Sequence, residues 1–216
     1  MLFMNQDRLM ADVLALTADG GRNVGSLGHK RSRDFIVTRL AELGASQYSG
    51  DSFLQPYGPE ASRFANIIAT IPGADPEKAP LLLGAHFDTC GDNPGADDNA
   101  AAVAILLAVA ESLQKTVRDR SVVLAFFDAE EPPYFLSSSM GSIRFYEDQR
   151  TGPVHAAIIL DLVGHDVPVD GLEDLLFITG AESDPRLEMA VRDSEPESGL
   201  RTVPTLNSYV PDLSDH

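Results

Sequence analysis

Short apolar runs alternate with helically spaced segments along most of the chain. LLLGAHF (81–87), SVVLAFF (121–127), HAAIILDLV (155–163) and DLLFITG (174–180) are near-continuous apolar stretches, and turn chemistry follows the first of them. Their length and their β-branched and aromatic content predict strands buried on both faces. FANIIATI (64–71), ended by Pro72-Gly73, predicts another strand upstream. Helical spacing marks Asn5 to Ala18 (Leu9, Val13, Leu16), then Phe35, Ile36, Leu40 and Leu43 with Gly44 as C-cap, then Asp98 to Lys115. Ser142 to Gln149 also has helical character, and Asp184-Pro185 opens a helix through Leu187, Met189 and Val191. Strands alternating with helices predict an α/β fold, a three-layer sandwich whose mixed, mostly parallel central sheet carries helices on both faces. The whole of 1–216 is expected to form one domain.

Composition changes this picture little. Apolar residues make up 44% of 216, enough for a core, and no apolar run approaches the roughly 18 residues of a membrane span. The N-terminus has helical amphipathicity and none of the features of an export signal, so the expected location is cytoplasmic, with no membrane partner. The single cysteine, Cys90, rules out an intrachain disulfide framework. A net charge of −17 would repel phosphate backbones, which argues against nucleic acid as a partner. So many carboxylates also mean that an acidic pair carries weight only through its position.

Position is informative here. The run 81–87 is followed by Asp88 and contains His86; 121–127 is followed by Asp128-Ala129-Glu130-Glu131; 155–163 carries Asp161 near its end; and Asp97-Asp98 precedes a long helix. In a parallel sheet these groups collect at one edge. Carboxylates gathered around imidazole are costly to bury without a cation, and mixed His/carboxylate ligation suits zinc. Asp88 could accept the second ring N–H of His86 and fix its tautomer. If the backbone stays extended, Glu130 and Glu131 point in opposite directions, one toward metal and one free to act as a base. Glu173-Asp174, which precedes its strand, reads as solvated surface.

These motifs together resemble a known family. GAHFDT, PGADDNAAAVA, FFDAEE, ILDLVG and the terminal SDH, in this order, are similar to the co-catalytic zinc aminopeptidases, which include bacterial leucyl aminopeptidases and are related to glutamate carboxypeptidase. The resemblance implies two Zn2+ ions, with His86 and Asp161 on one, Glu131 and His216 on the other, and Asp97 bridging. It implies Glu130 as general base for a water on zinc, a cis peptide at Asp97-Asp98, and a peptide or aminoacyl amide as substrate. The expected activity is that of an aminopeptidase. Members of the family continue beyond the position of His216, so the resemblance also implies a domain short of its last strand and helix.

The longer link after Glu131, PPYFLSSSMGS, together with ILDLVG is also similar to glutaminyl cyclases, which use one zinc to cyclise N-terminal glutamine. The absence of tryptophan weighs against a cyclase. A non-catalytic relative acting as a binding module is a third reading, opposed by the full set of ligand types. Among the remaining residues, His29 in GHKRSR is expected at the surface, His155 at a strand start and His165 in a loop, with a lesser role near substrate. Cys90 is expected to be buried. Tyr134, Phe135 and Tyr209 could wall a cleft, although simple packing is the commoner role for each.

Overall fold

The computed structural model describes residues 5–58, 63–166, 169–171, 173–179, 189, 193 and 199–204. Of the helix expected from Asp184 only Met189 is among them, and Leu187, Val191, Tyr209 and His216 lie outside these residues. The described strands are β1 (Ser46–Gln47), β2 (Leu54–Pro56), β3 (Ala65–Ile71), β4 (Leu81–His86), β5 (Val122–Phe127), β6 (Ala156–Ile159), β7 (Leu175–Ile178) and β8 (Arg201–Pro204). The described helices of regular α geometry are α1 (Gln6–Thr17), α2 (Leu27–Glu42), α3 (Ala102–Gln114) and α4 (Gly141–Arg144). The chain divides into two compact units, the first reaching Gly164 and the second spanning His165–Ser214.

In the first unit the sheet runs β1-β3-β5-β4-β6, with β2 also paired to β3. It is mixed. β4 pairs in parallel with both β5 and β6, whereas β3 runs antiparallel to β5, β1 and β2. The parallel strands β5, β4 and β6 therefore bring His86, the 128–131 turn and Asp161 to a common edge.

Strand alternation divides the core between the two faces. Val122, Leu124 and Phe126 join Ile67, Ala69 and Ile71 in one cluster with Ile36 and Leu40 of α2 and Val103, Leu106 and Leu107 of α3. Val123, Ala125 and Phe127 face the other way, onto Ile68, Leu82 and Phe145, the last lying just beyond α4. Each Val, Leu, Ile or Phe side chain among them contributes roughly 1.5–3 kcal/mol by burial, and truncation of a central one such as Leu107 to Ala would cost about 2–5 kcal/mol.

Local chemistry sets the helix ends. The Asn5 side chain caps α1 by accepting from Arg8 N at 3.2 Å, and the Ser26 hydroxyl caps α2 by accepting from His29 N at 3.0 Å. Gly44, at φ 69°, ends α2 in the left-handed conformation, one residue past the C-cap Leu43. The guanidinium of Arg39 grips the buried Asp12 carboxylate with Nε and Nη2, each at 3.2 Å, and so locks α2 to α1. In the second unit β7 and β8 form a parallel pair. Among the described residues no helix is long and apolar enough to cross a membrane.

Candidate metal centre

His86 is the last residue of β4 and is only 1% exposed. Its Nε2 faces three carboxylates: Asp98 Oδ1 at 3.2 Å, Asp161 Oδ1 at 3.7 Å and Glu130 Oε2 at 3.8 Å. One ligand atom each from His86, Asp98 and Asp161 lies within 4.8 Å of the others. Burial alone would lower the imidazole pKa, but Asp161, Asp88 and Asp98 together outweigh it and hold the ring well above its ordinary value. Without a metal ion, a proton on this ring is what partly neutralises the surrounding carboxylates. A cluster of one nitrogen and several oxygens, carrying excess negative charge, fits a divalent cation and zinc in particular.

Asp98, not Asp97, faces the histidine. Between Gly95 and α3 the chain makes a wide turn in which Asp98 (φ −104°, ψ 86°) and Asn99 (φ −137°, ψ 33°) leave helical geometry. This swings the Asp98 carboxylate toward His86. Asp97 instead accepts from Gly164 N at 2.7 Å and thus fastens the segment just after Asp161. Asn99 makes a second tie, donating through Nδ2 to Leu160 O at 2.9 Å. The cis peptide falls at Asp98-Asn99, one residue later than expected. Both corrections have one origin: adjacent aspartates are equivalent in a sequence motif, and only the path of the turn separates them.

Glu130 and Glu131 follow β5 on a turn rather than on extended chain. Ala129 takes φ 58°, so the expected opposite projection from a straight strand does not apply. Asp88 holds this turn: its Oδ1 accepts from Glu130 N at 3.1 Å and its Oδ2 from Glu131 N at 3.0 Å. Its Oδ1 lies 3.6 Å from His86 Nδ1, beyond hydrogen-bond distance, so Asp88 orients the glutamate turn rather than clasping the ring. Glu130 is 5% exposed and its carboxylate reaches the cluster. Glu131 is half-buried, and burial first, then the nearby Asp98 charge, push its pKa up to about 7. The crowding of negative charge is thus felt on a second side of the site.

Two buried groups next to this cluster depart from what the sequence suggested: His29 was expected at the surface, and Arg22 was not singled out. His29 is 1% exposed, not at the surface: its Nε2 meets Asp128 Oδ1 at 2.8 Å, its Nδ1 accepts from Gly25 N at 3.4 Å, and its ring stacks on Phe87. Arg22, fully enclosed beneath the loop after β4, donates to backbone carbonyls on both sides of that loop. Arg22 belongs to no periodic pattern or motif, which is why it was silent in the sequence, and the polar run GHKRSR hid the burial of His29. Cys90 is exposed rather than buried. His155 and His165 are exposed, and His155 N donates to Pro80 O at the start of β6. Tyr134 packs edge-on against Phe64, and Phe135 is half-buried.

Comparison with known proteins places this geometry in a class. The profile of Peptidase family M28 matches residues 66–216, most of the chain and every residue of the cluster. The chain belongs to peptidase family M28, a family of zinc-dependent metallopeptidases. The Escherichia coli K12 protein YfbL is 35% identical over 144 residues, which span 62% of this chain and 42% of YfbL. A vacuolar membrane protease of Schizosaccharomyces pombe is 31% identical over 77 residues, 36% of this chain and 9% of that protein. The chain thus spans less than half the length of these relatives. Among solved structures, Porphyromonas gingivalis glutaminyl cyclase superposes with a TM-score of 0.73 at 24% identity, over 99% of this chain and 78% of that one. The LapA aminopeptidase of Legionella pneumophila superposes with a TM-score of 0.78 at 19% identity, over 99% and 57% respectively. These two likenesses concern the fold.

Proposed function

We propose that this chain is the catalytic part of a zinc-dependent exopeptidase that removes N-terminal residues from peptides. The observation that carries the reading is the buried Nε2 of His86 facing Asp98, Asp161 and Glu130 together. In this reading His86, Asp98 and Asp161 would hold zinc, and Glu131 and His216 would contribute ligands for a second ion. Zinc, when bound, supplies Lewis acidity that polarises a scissile carbonyl and makes water a better acid.

Glu130 is the group with a proton to move. Its carboxylate is the base that takes a proton from the attacking water, and it returns that proton to the nitrogen of the departing amine. Asp88 keeps this base in place by holding the backbone N–H groups of both Glu130 and Glu131. Burial of Glu130 keeps bulk water from competing for the proton.

The test is an assay of the zinc-loaded protein against an aminoacyl chromogenic amide and a peptide with N-terminal glutamine. Release of the chromophore supports the exopeptidase. Ammonia release with a cyclised product, and no amide hydrolysis, replaces it with a glutaminyl cyclase. Inertness toward both refutes the proposed activity.

A further inference from the structure

Arg22 follows the Gly20-Gly21 turn after α1, and its side chain is 0% exposed. A buried guanidinium ordinarily meets a carboxylate. Among the described residues this one meets only backbone carbonyls: Phe87 O from Nε at 2.8 Å, Gly95 O from Nη2 at 3.0 Å, and Pro94 O and Leu16 O from Nη1. Its own backbone N–H donates to Thr89 Oγ1 at 2.6 Å.

The two outer partners delimit a loop. Phe87 comes directly after His86, and Gly95 lies three residues before Asp98. Between them lie the left-handed Gly91 and an exposed stretch from Cys90 to Pro94. Each end has an anchor of its own, Phe87 N donating to Phe127 O and Gly95 O accepting from Ala100 N, both at 3.0 Å, and the Arg22 guanidinium joins one end to the other. Close packing tightens the clamp from both sides. A Cβ at Gly21 would come within 2.0 Å of Gly91 O, and one at Gly95 within 2.1 Å of Asp98 O and 3.0 Å of Arg22 Nη2.

A fixed positive charge near a cation site opposes metal binding. Burial lowers the Arg22 pKa to about 10, and Asp88, Asp98 and Glu131, acting over distance, counter that loss, so the group remains charged at neutral pH. Something other than charge must then justify an arginine here. The fork does so: only a planar group with donors on several edges can hold carbonyls at both ends of the loop at once.

We propose that Arg22 is a positioning residue of the metal centre, its guanidinium fork tying the ends of the 87–95 loop so that His86 and Asp98 are held at ligating separation. The inference rests on the metal-centre reading. The test uses Co2+ as the probe, with affinity measured by competition against a chelator and geometry by the d–d absorption of the bound ion. Wild-type protein binds Co2+; absence of binding there overturns the metal-centre reading itself, and this inference with it. Arg22→Lys keeps the charge and loses the fork, so it should bind Co2+ about 10- to 100-fold more weakly, with an altered absorption band. Arg22→Met should also bind more weakly, although it removes a repelling charge. Wild-type affinity and spectrum in Arg22→Lys, or tighter binding by Arg22→Met, overturns the proposal. If neither variant shows a cooperative thermal transition, Thr89→Val decides. That variant loosens the Arg22 backbone and leaves the guanidinium in place, so a several-fold weaker affinity with the same spectral change supports the clamp, and wild-type behaviour refutes it.

Discussion

His29 and His86 are buried to the same degree, and each faces carboxylate oxygen, yet their surroundings differ in balance. Around His29 every strong group has a partner. One ring nitrogen meets Asp128, the other accepts from Gly25, and the second oxygen of Asp128 accepts from Ala65 N at 2.9 Å. Around His86 the count is uneven: three carboxylates converge on Nε2, and among the described residues Nδ1 makes no hydrogen bond. The first arrangement is closed and can only be structural. The second has negative charge to spare, with ligand atoms of His86, Asp98 and Asp161 within 4.8 Å of one another. Burial does not distinguish a functional histidine from a structural one here; the surplus of acceptors does.

Substitutions can sharpen this contrast. The largest effect should follow Glu130→Gln, which keeps bound zinc but loses on the order of 10^2- to 10^4-fold in turnover, since it removes the base and leaves the ligands. Steady-state kinetics with metal analysis on the same sample checks it; near-normal turnover would return Glu130 to a purely structural role. Next comes the aspartate pair. Asp98→Asn should lower zinc affinity by more than about 100-fold, whereas Asp97→Asn, which only loosens the tie to Gly164, should lose about 10-fold. Chelator competition on the two variants ranks them, and the reverse order would restore Asp97 as the ligand.

His29→Ala should leave zinc affinity within a few-fold of wild type but destabilise the fold by about 3–5 kcal/mol, because it strands the Asp128 carboxylate in the interior. Denaturant unfolding of the metal-free protein measures this. A loss of metal without a loss of stability would mean that the two histidines have been assigned the wrong way round.

The smallest effect concerns pH. Glu131, raised to about 7, and Asp128, raised by burial, both favour the fold in their neutral forms, so their contribution is full below the unfolded carboxylate range and is lost as pH rises through the folded values. His86, raised above its ordinary value, contributes below about pH 6.5 and is likewise lost as pH rises through its folded pKa. These groups push the metal-free protein toward lower stability between about pH 5 and 8. Zinc takes the deprotonated forms of His86 and Glu131, so the zinc-induced rise in Tm should grow over the same interval by a few degrees. A zinc-induced shift that shrinks with pH would contradict the donor set.

Much of this was legible in the sequence, and the reason differs from residue to residue. His86, Glu130, Glu131 and Asp161 follow from apolar strands that end in polar groups, because parallel strands β4, β5 and β6 deliver their ends to one edge. Asp98 was obscured because a motif cannot tell it from Asp97; the irregular turn before α3 makes that choice. The role of Asp88 was half legible: its position after β4 marked it, but its partners are two backbone N–H groups that no side-chain pattern encodes. His29 looked superficial because its neighbours Lys30 and Arg31 are polar, yet it is the third residue of α2 on the face turned inward to Phe87. Arg22 bonds almost wholly to backbone, and backbone partners leave no trace in residue types. The antiparallel side of the sheet, with β1 of two residues and β2 of three, is too short for periodicity to register.

The central claim is that the surplus of carboxylate around His86 is a zinc site. The direct measurement is calorimetric titration of Zn2+ into metal-depleted protein at pH 7 in two buffers of different ionisation enthalpy, repeated on His86→Ala. The arrangement of His86, Asp98 and Asp161 predicts submicromolar binding with net proton release in the wild type, and loss of that binding step in His86→Ala. Unchanged zinc binding in His86→Ala, or binding without proton release, would contradict it.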